Sequence, residues 1–243
     1  MKRYGLLLSG GMGTRLGAGI PKQYLSVNGR MLLLYSLGTL LKSEDIDGVW
    51  VVAAPEWRDK TIRAIREEGL PLVKFGGFAR AGVSRQRSIL NGMEKILQHT
   101  GLPQETDQIL IHDAARPGLS GKMVHVAFRI AEEHDGAMPV LPMKDTVYLS
   151  DPGKKRAAER LNRDLVFAGQ APEVFRMKRY YEVCSALSGK ELDAVRGSAE
   201  PAIAAGMDIA IFPGEETNFK ITTEEDLVRF QEMCGRREVR KNG

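Results

Sequence analysis

Short apolar runs alternate with longer stretches of helical periodicity along most of the chain, and this alternation restricts the fold more than any other feature. Residues 48–54 have the composition of a buried strand, whereas residues 84–98 carry apolar side chains at helical spacing, with Ser84 placed to cap the helix. The alternation predicts an α/β fold in which parallel strands are joined by right-handed crossover helices. Ligands of such sheets bind beyond the carboxyl ends of the strands, so we expect the functional residues there.

The same periodicities place the remaining elements. Further strands are predicted at residues 4–8, 70–75, 108–111, 136–141 and 207–212. Further helices are predicted at residues 31–42, 121–133, 176–187 and 223–234, together with a charged helix that ends at residue 68. The polar stretch 142–166 contains an Asp-Pro-Gly turn and favours a hairpin arm that projects from the sheet, with a plain surface loop as the alternative. We expect one domain over residues 1–243 that includes this arm.

Composition and charge argue against several function classes. The 243 residues carry a net charge of +4 and only 7% aromatic residues, without a long basic run, so a nucleic-acid partner is not expected. The modest positive excess fits a protein that binds anionic small molecules, and equally an ordinary basic surface. The apolar runs fit neither a transmembrane helix nor a signal peptide, which predicts a cytoplasmic protein without a membrane partner. Cys184 and Cys234 are expected to be reduced thiols.

A glycine-rich segment with the sequence SGGMGTRL follows the first predicted strand. Gly10, Gly11 and Gly13 allow backbone N–H groups to approach a phosphate closely. Arg15 can bind two phosphate oxygens at once, and Lys22 follows seven residues later in the sequence Pro-Lys-Gln. The segment lacks the Gly-Lys-Ser/Thr of a P-loop and departs from the dinucleotide-binding fingerprint. It therefore predicts a site for a nucleoside triphosphate, with a purely structural turn as the alternative.

Five further motifs follow in a fixed order. They are GVSRQRS at 82–88, IHDAARP at 111–117, KDT at 144–146 with Arg163 at the end of the arm, QAP at 170–172 and NFKIT at 218–222. In order and spacing, these motifs and the glycine-rich segment resemble the 2-C-methyl-D-erythritol 4-phosphate cytidylyltransferase family and the related ribitol-5-phosphate cytidylyltransferases. The resemblance spans nearly the whole chain. It implies a Rossmann-like three-layer nucleotidyltransferase fold with a mostly parallel sheet and a projecting β-arm.

The resemblance also implies a reaction and its catalytic residues. CMP would pass from CTP to 2-C-methyl-D-erythritol 4-phosphate in non-mevalonate isoprenoid biosynthesis, with release of pyrophosphate. The attacking phosphate monoester is largely ionised at neutral pH, since its second pKa is about 6, so the enzyme needs cations more than a general base. Arg15 and Lys22 would hold the triphosphate, and Lys220 would contact the α-phosphate. Mg²⁺ would accompany the triphosphate, with Asp113 as its ligand or as a contact of the ribose.

Other positions match residues that bind the base and the acceptor in the family. Gly82 and Ser88 would enclose the cytosine, whereas Arg116, Thr146 and Arg163 would bind the acceptor. The arm would reach into the partner subunit of a homodimer, with Arg163 contributing to catalysis in trans. The residues alone leave simpler roles open, because Asp113 could cap a turn, Thr146 could be an ordinary strand residue, and Arg163 could belong to a solvated arm. His112 is expected to be packed rather than catalytic.

Three short stretches depart from the family pattern. Val83 stands where the family usually has a carboxylate, and residues 170–173 read Gln-Ala-Pro-Glu instead of ending in Thr-Pro-Gln. Residues 196–198 read Arg-Gly-Ser in place of an acidic Thr-Asp-Asp/Glu segment, whose part could be taken by Asp193 or Glu200. These differences keep two alternatives open. One is a cytidylyltransferase for ribitol 5-phosphate or another phosphorylated polyol, and the other is a non-catalytic nucleotide-binding protein of the same fold.

Overall fold

The computed structural model describes residues 1–11 and 19–241, and the side chains within these ranges up to residue 235. Gly13 and Arg15 lie outside the described residues, so their predicted roles in phosphate binding stay predictions.

Strands and helices alternate along the described chain as the sequence predicts. The strands are β1 (Arg3–Leu8), β2 (Ser26–Val27), β3 (Arg30–Met31), β4 (Gly48–Val52), β5 (Phe75–Ala79), β6 (Gln108–Asp113), β7 (Gly136–Pro142), β8 (Tyr148–Ser150), β9 (Ala157–Arg160), β10 (Phe167–Gly169), β11 (Glu173–Arg176) and β12 (Ile209–Pro213). The helices are α1 (Leu32–Lys42), α2 (Pro55–Glu67), α3 (Arg85–Thr100), α4 (Gly121–Ile130), α5 (Met177–Ala186), α6 (Gly189–Ala194), α7 (Ala199–Ala204) and α8 (Glu224–Lys241). The Ser84 hydroxyl caps α3 by accepting from the Arg87 N–H, as expected.

A central sheet has the order β10-β7-β11-β6-β1-β4-β5, and β12 pairs with β7 as well. Parallel pairing joins β1 to β4 and β6, β4 to β5, and β12 to β7. Strands β10 and β11 were not predicted, and they pair antiparallel with their neighbours, with β11 inserted between β6 and β7. The α/β fold with a mostly parallel sheet is therefore confirmed, and β10 and β11 are its antiparallel strands.

The sheet is covered on both faces, because successive side chains of each strand point to opposite sides. Leu7 of β1 packs in one apolar cluster with Phe128 of α4. Its neighbour Leu6 packs in the other cluster with Met93 of α3 and Tyr180 of α5. These five side chains are fully buried, and the helices form a layer on each face of the sheet. The predicted three-layer arrangement is thus present.

The strand predicted at residues 70–75 is wrong. Residues 72–74 form a single 3₁₀ turn after Pro71, and the strand follows it as Phe75–Ala79. Two consecutive glycines conceal this strand in the sequence, since glycine is depleted in strands. Packing requires a glycine here, because a Cβ on Gly76 would lie 2.2 Å from the Trp50 ring.

The stretch between β7 and β10 forms the predicted hairpin arm. β8 and β9 pair antiparallel in a separate two-stranded sheet, with Tyr148 opposite Arg160 and Leu149 opposite Glu159. Every residue of both strands is exposed. Residues 151–156 form the turn between them, closed by a hydrogen bond from the Asp151 N–H to the Arg156 carbonyl. The arm therefore has no packed face within the described chain.

Helix α8 packs on a third, smaller apolar cluster. Phe230 and Cys234 of α8 contact a group that includes Val27, Leu32 and Ile221. This packing holds the NFKIT motif, in which Ile221 lies, against the body of the protein. Among the described residues no helix has the length and apolarity needed to span a membrane. Both cysteines are free thiols, as expected.

Candidate active site

The carboxyl ends of β1 and β6 lie side by side and bring two sequence motifs together. Leu8 at the end of β1 is in register with Asp113 at the end of β6. Beyond these positions the Ser9 N–H donates to the Val52 carbonyl, and the Ala114 N–H donates to the Leu8 carbonyl. The start of the glycine-rich segment and the IHDAARP motif are therefore neighbours at the edge of the sheet where ligands of α/β proteins bind.

Asp113 is the centre of a cluster of cations that come from distant parts of the chain. Its Oδ1 accepts hydrogen bonds from Arg85 Nε at 3.2 Å and Nη2 at 3.1 Å. Its Oδ2 accepts from Lys220 Nζ at 2.9 Å and lies 4.0 Å from Arg116 Nε. Burial alone would raise the pKa of Asp113, but Arg85 and then Lys220 outweigh it and hold the pKa well below its usual value. The carboxylate is therefore ionised throughout the physiological pH range.

The NFKIT motif presents Lys220 to this carboxylate. Ile221 is fully buried under α8, and its N–H donates to the Ala115 carbonyl at 2.8 Å. The Asn218 side chain is fully buried and donates to the Ala171 carbonyl. Since residues on both sides of Lys220 are anchored, its side chain points to Asp113 while staying 40% exposed. The contact of Lys220 with the α-phosphate of a bound nucleotide stays a prediction.

Arg116 reaches the same motif from the other side. Its Nη1 donates to the Asn218 carbonyl at 3.0 Å, and its own carbonyl accepts from the Ser36 hydroxyl and His112 Nε2. His112 is fully buried, and this burial lowers its pKa to about 4, so the ring is neutral. His112 is therefore packed, as predicted, and its lack of a catalytic role stays a prediction. The acceptor-binding role of Arg116 stays a prediction, because the contacts described for it lie within the chain.

Two carboxylates share Arg85, and the second was not predicted. Arg85 Nη2 lies 3.6 Å from Glu173 Oε2 at the start of β11. The Ser198 hydroxyl accepts from Arg85 Nη1 and donates to Glu173. Burial raises the pKa of Glu173, and the charge of Arg85 opposes this. Through these contacts, Arg85 of α3 connects Asp113 at the end of β6 with Glu173 of β11 and with Ser198 before α7.

The Arg-Gly-Ser segment at 196–198 therefore lies beside the site. Asp193 pairs with Arg87 at 2.7 Å, and Glu200 accepts from the backbone N–H of Arg196, so neither carboxylate joins the Arg85 cluster. Glu173 is the carboxylate that the structure places against Ser198 instead. Both residues belong to stretches that depart from the family pattern, and only the folded chain shows that they contact each other.

The turn before α3 lies against the glycine-rich segment. A Cβ on Gly10 would lie 2.6 Å from the Cβ of Ala81, so the two turns touch. The Ser88 hydroxyl accepts from the Gly82 N–H at 2.9 Å and donates to the Ser84 carbonyl at 3.0 Å. The Ser88 hydroxyl therefore stabilises this turn both as an acceptor and as a donor. Enclosure of the base by Gly82 and Ser88 stays a prediction.

Lys22 begins a 3₁₀ turn, Lys22–Tyr24, that is bonded to the glycine-rich segment. Gln23 donates from Nε2 to the carbonyls of Ser9 at 2.8 Å and Gly11 at 2.7 Å. These bonds bring the backbone of Lys22 beside the start of the segment, as the predicted phosphate site requires. Gly11 itself is exposed, and a Cβ there would meet no atom within 4 Å.

The arm residues occupy exposed positions near the base of the arm. Arg163 Nη1 donates to the Lys144 carbonyl at 3.1 Å, which joins the two legs of the arm. Lys144 pairs with Glu216 at 2.6 Å, only a few residues before the NFKIT motif. Thr146 is exposed and precedes β8, so the alternative that it is an ordinary strand residue is wrong. The acceptor-binding roles of Thr146 and Arg163 stay predictions.

The matches to known proteins cover the residues just described. Residues 5–236 match the family model of 2-C-methyl-D-erythritol 4-phosphate cytidylyltransferase, IspD. The chain belongs to this family. It is therefore a nucleotidyltransferase, and the family, fold and reaction class expected from the motifs are confirmed.

Individual relatives support the assignment over almost the full chain. The enzyme of this name from Rubrobacter xylanophilus is 33% identical over 97% of this chain and 96% of its own length. The bifunctional enzyme IspD/IspF of Maricaulis maris is 31% identical over 94% of this chain, which spans 56% of that larger protein. The 4-diphosphocytidyl-2C-methyl-D-erythritol synthase of Anaerococcus prevotii has the same fold, with a TM-score of 0.78 at 20% identity over 96% of both chains.

The donor groups around Asp113 bear on the expected Mg²⁺. Both of its oxygens face cations, and the described residues contain no cluster of three or more histidine, cysteine or carboxylate side chains that could hold a metal. Mg²⁺ usually keeps several waters and needs few protein carboxylates when phosphates bind it. The site thus fits a metal carried by a triphosphate better than one held by the protein alone. Direct binding of Mg²⁺ by Asp113 stays a prediction.

Proposed function

We propose that the chain transfers CMP from CTP to 2-C-methyl-D-erythritol 4-phosphate. A phosphate oxygen of the acceptor forms a bond to the α-phosphorus of CTP, and the bond from the α-phosphorus to the bridging oxygen breaks to release pyrophosphate. The observation that carries the proposal is the convergence of Lys220, Asp113 and Arg85 at the strand ends beside the glycine-rich segment. This arrangement suits a reaction in which two anions must be brought together.

Each residue of the cluster has a distinct task in this reaction. Lys220 stabilises the charge that builds up on the oxygens of the α-phosphate, and Asp113 holds its ammonium group in place. Lys22 and Arg15 bind the triphosphate beside the glycine-rich backbone. The nearest histidine, His112, is buried and neutral, and it donates to a carbonyl. It is not available as a base, and an ionised phosphate does not need one.

Mg²⁺ is part of the proposal as an ion that enters with CTP. When bound, it neutralises charge on the phosphate oxygens. Asp113 is the carboxylate that we propose to contact this ion, and its pairing with Arg85 and Lys220 keeps it ionised for such a contact.

A homodimer completes the acceptor side of the proposal. The arm exposes apolar side chains that a second copy could cover, since Tyr148 is 57% exposed and Leu165 is 77% exposed. Thr146 and Arg163 lie on this arm and would contact the acceptor in the site of the partner subunit. A cytoplasmic location also stays a prediction.

A panel assay tests the proposed reaction. The purified protein is incubated with CTP, Mg²⁺ and either 2-C-methyl-D-erythritol 4-phosphate, ribitol 5-phosphate or no acceptor, and pyrophosphate is measured. We expect release with the first acceptor only. Release with ribitol 5-phosphate alone would support the second candidate acceptor. Thermal protection by CTP without turnover of either acceptor would indicate a non-catalytic nucleotide-binding protein.

A further inference from the structure

The two side chains that follow Lys22 hold the first residues of the glycine-rich segment. Gln23 is 4% exposed, and its Nε2 donates to the carbonyls of Ser9 and Gly11. The Tyr24 hydroxyl donates to the same Ser9 carbonyl at 3.1 Å and accepts from the Ser9 hydroxyl at 2.8 Å. The adjacent side chains of Gln23 and Tyr24 therefore hydrogen-bond to the Ser9 carbonyl, and they also contact the Gly11 carbonyl and the Ser9 hydroxyl.

Two further contacts constrain this backbone. The Ser9 N–H donates to the Val52 carbonyl at 2.9 Å, which continues the sheet by one residue. Gly10 lies so close to Ala81 that a Cβ could not be added without moving the neighbouring turn. The sheet and the Ala81 turn thus constrain residues 9 and 10, in addition to the hydrogen bonds from Gln23 and Tyr24.

Tyr24 is fixed by a second interaction. Its ring stacks on Trp57 of α2 with centroids 4.1 Å apart and an angle of 5° between the planes. Lys60 lies over the Trp57 ring at 4.4 Å. Burial raises the pKa of Tyr24 to about 12, so the phenol keeps its proton and remains a donor at neutral pH. The position of the hydroxyl is therefore set by packing before any ligand binds.

We propose that Gln23 and Tyr24 are positioning residues for nucleotide binding, which fix Lys22 relative to the start of the glycine-rich segment. Lys22 and Gln23 are consecutive residues of one 3₁₀ turn, so the hydrogen bonds of Gln23 set where the Lys22 backbone lies. The inference rests on the proposed function, since it takes a triphosphate as the common ligand of both elements. Fixing them in advance reduces the ordering cost of binding.

The direct test is Gln23→Glu, compared with the same substitution at Gln108. Glutamate keeps the size of Gln23 but places a carboxylate against two carbonyl oxygens. Gln108 is also fully buried, and its Nε2 donates to the Phe128 carbonyl at the other end of the sheet. We expect Gln23→Glu to raise the KM for CTP about tenfold or more, with the KM for the acceptor unchanged. Gln108→Glu, at a side chain that also accepts from Arg3 Nε, should leave the KM for CTP at the wild-type value.

Tyr24→Phe serves as a second variant, because it keeps the stacked ring and removes only the hydroxyl. We expect it to raise the KM for CTP by about threefold to tenfold. Wild-type KM for CTP in folded Gln23→Glu would overturn the inference. If Gln23→Glu does not fold, as judged by circular dichroism, an unchanged KM in Tyr24→Phe overturns it.

Calorimetric binding of CTP and of inorganic tripolyphosphate, both with Mg²⁺, separates this inference from the proposed function. We expect Gln23→Glu to weaken both ligands by the same factor, because the positioned groups bind phosphate. If the wild type binds CTP and releases no pyrophosphate with any acceptor, the proposed function is wrong. The affinities of wild type and Gln23→Glu for the two ligands would still test whether Gln23 positions the phosphate-binding groups. Wild-type protein that binds neither ligand would contradict both.

Discussion

The Asp113 cluster and the arm differ in how far the chain completes them. Asp113 is 8% exposed and is contacted by side chains from α3 and from the NFKIT motif, each anchored by buried neighbours. Every residue of both arm strands, in contrast, is exposed, and the arm is tied to the rest by contacts such as that between Lys144 and Glu216. The Asp113 cluster is thus preorganised by the chain itself, whereas the arm stays exposed, as the proposed contact with a second copy requires.

This difference has energetic consequences. Removing one partner of a buried charge cluster leaves the others unpaired at a cost of several kcal/mol, whereas exposed pairs contribute about 1 kcal/mol or less. Substitution of the buried Asp113 should therefore alter both the chemistry and the stability of the protein, whereas substitution of the more exposed Lys220 should alter mainly the chemistry. Substitutions in the arm should alter the reaction and leave stability unchanged.

Lys220→Ala is the variant with the largest expected effect. We expect kcat to fall about a hundredfold to a thousandfold, because a group that stabilises transition-state charge is lost. Thermal stability should change little, since the Lys220 side chain is 40% exposed. Lys178 of α5 is equally exposed and pairs with Glu105, so Lys178→Ala is the matched control and should keep the wild-type kcat. Wild-type turnover in Lys220→Ala would show that the cluster is structural only.

The arm is tested by mixing two inactive variants. Arg163→Ala and Lys22→Ala homodimers should each lose most of their activity. If the arm acts in trans, each mixed dimer has one site with both substitutions and one with neither. Random exchange should then restore about a quarter of the wild-type rate of pyrophosphate release, since half of the dimers are mixed. Absence of recovery in verified mixed dimers would place Arg163 and Lys22 in the same subunit's site or remove Arg163 from the reaction.

His112 provides a pH test that separates the buried region from the arm. Burial lowers its pKa from 6.5 to about 4, so the unfolded chain binds more protons than the folded chain between these values. The free energy of unfolding should therefore fall as the pH falls from 6.5 to 4, by about 3 kcal/mol from this group alone. Urea unfolding of His112→Gln should show a shallower fall over this range.

The exposed His125, changed to glutamine, is the control for this experiment and should keep the wild-type slope. Equal slopes in wild type and His112→Gln would mean that His112 is not held neutral by burial.

Arg85→Lys is expected to have the smallest effect. A single ammonium group cannot replace a guanidinium that contacts Asp113, Glu173 and Ser198 together, so Asp113 should hold Lys220 less firmly. We expect kcat/KM to fall about tenfold. Arg87→Lys, two residues away, should leave it unchanged, because Arg87 pairs with the exposed Asp193 and not with the cluster. Equal effects of the two substitutions would remove Arg85 from the positioning of Asp113.

The sequence predicts this site better in some places than in others. Asp113 and Lys220 were predicted because they stand in the IHDAARP and NFKIT motifs, whose order and spacing resemble those of the family. The roles of Arg85 and Glu173 could not be predicted, since their contact depends on β11 entering the sheet antiparallel beside β6. Strand β5 was missed because its glycines serve the packing of Trp50 rather than the backbone preference of a strand.

A crystal structure with CTP and Mg²⁺ tests the central claim most directly. The account predicts that the triphosphate lies between the glycine-rich segment and Lys22, with Lys220 Nζ within hydrogen-bonding distance of an α-phosphate oxygen and Asp113 still paired with Arg85. CTP bound elsewhere, or Lys220 turned away from the α-phosphate in the occupied site, would contradict it.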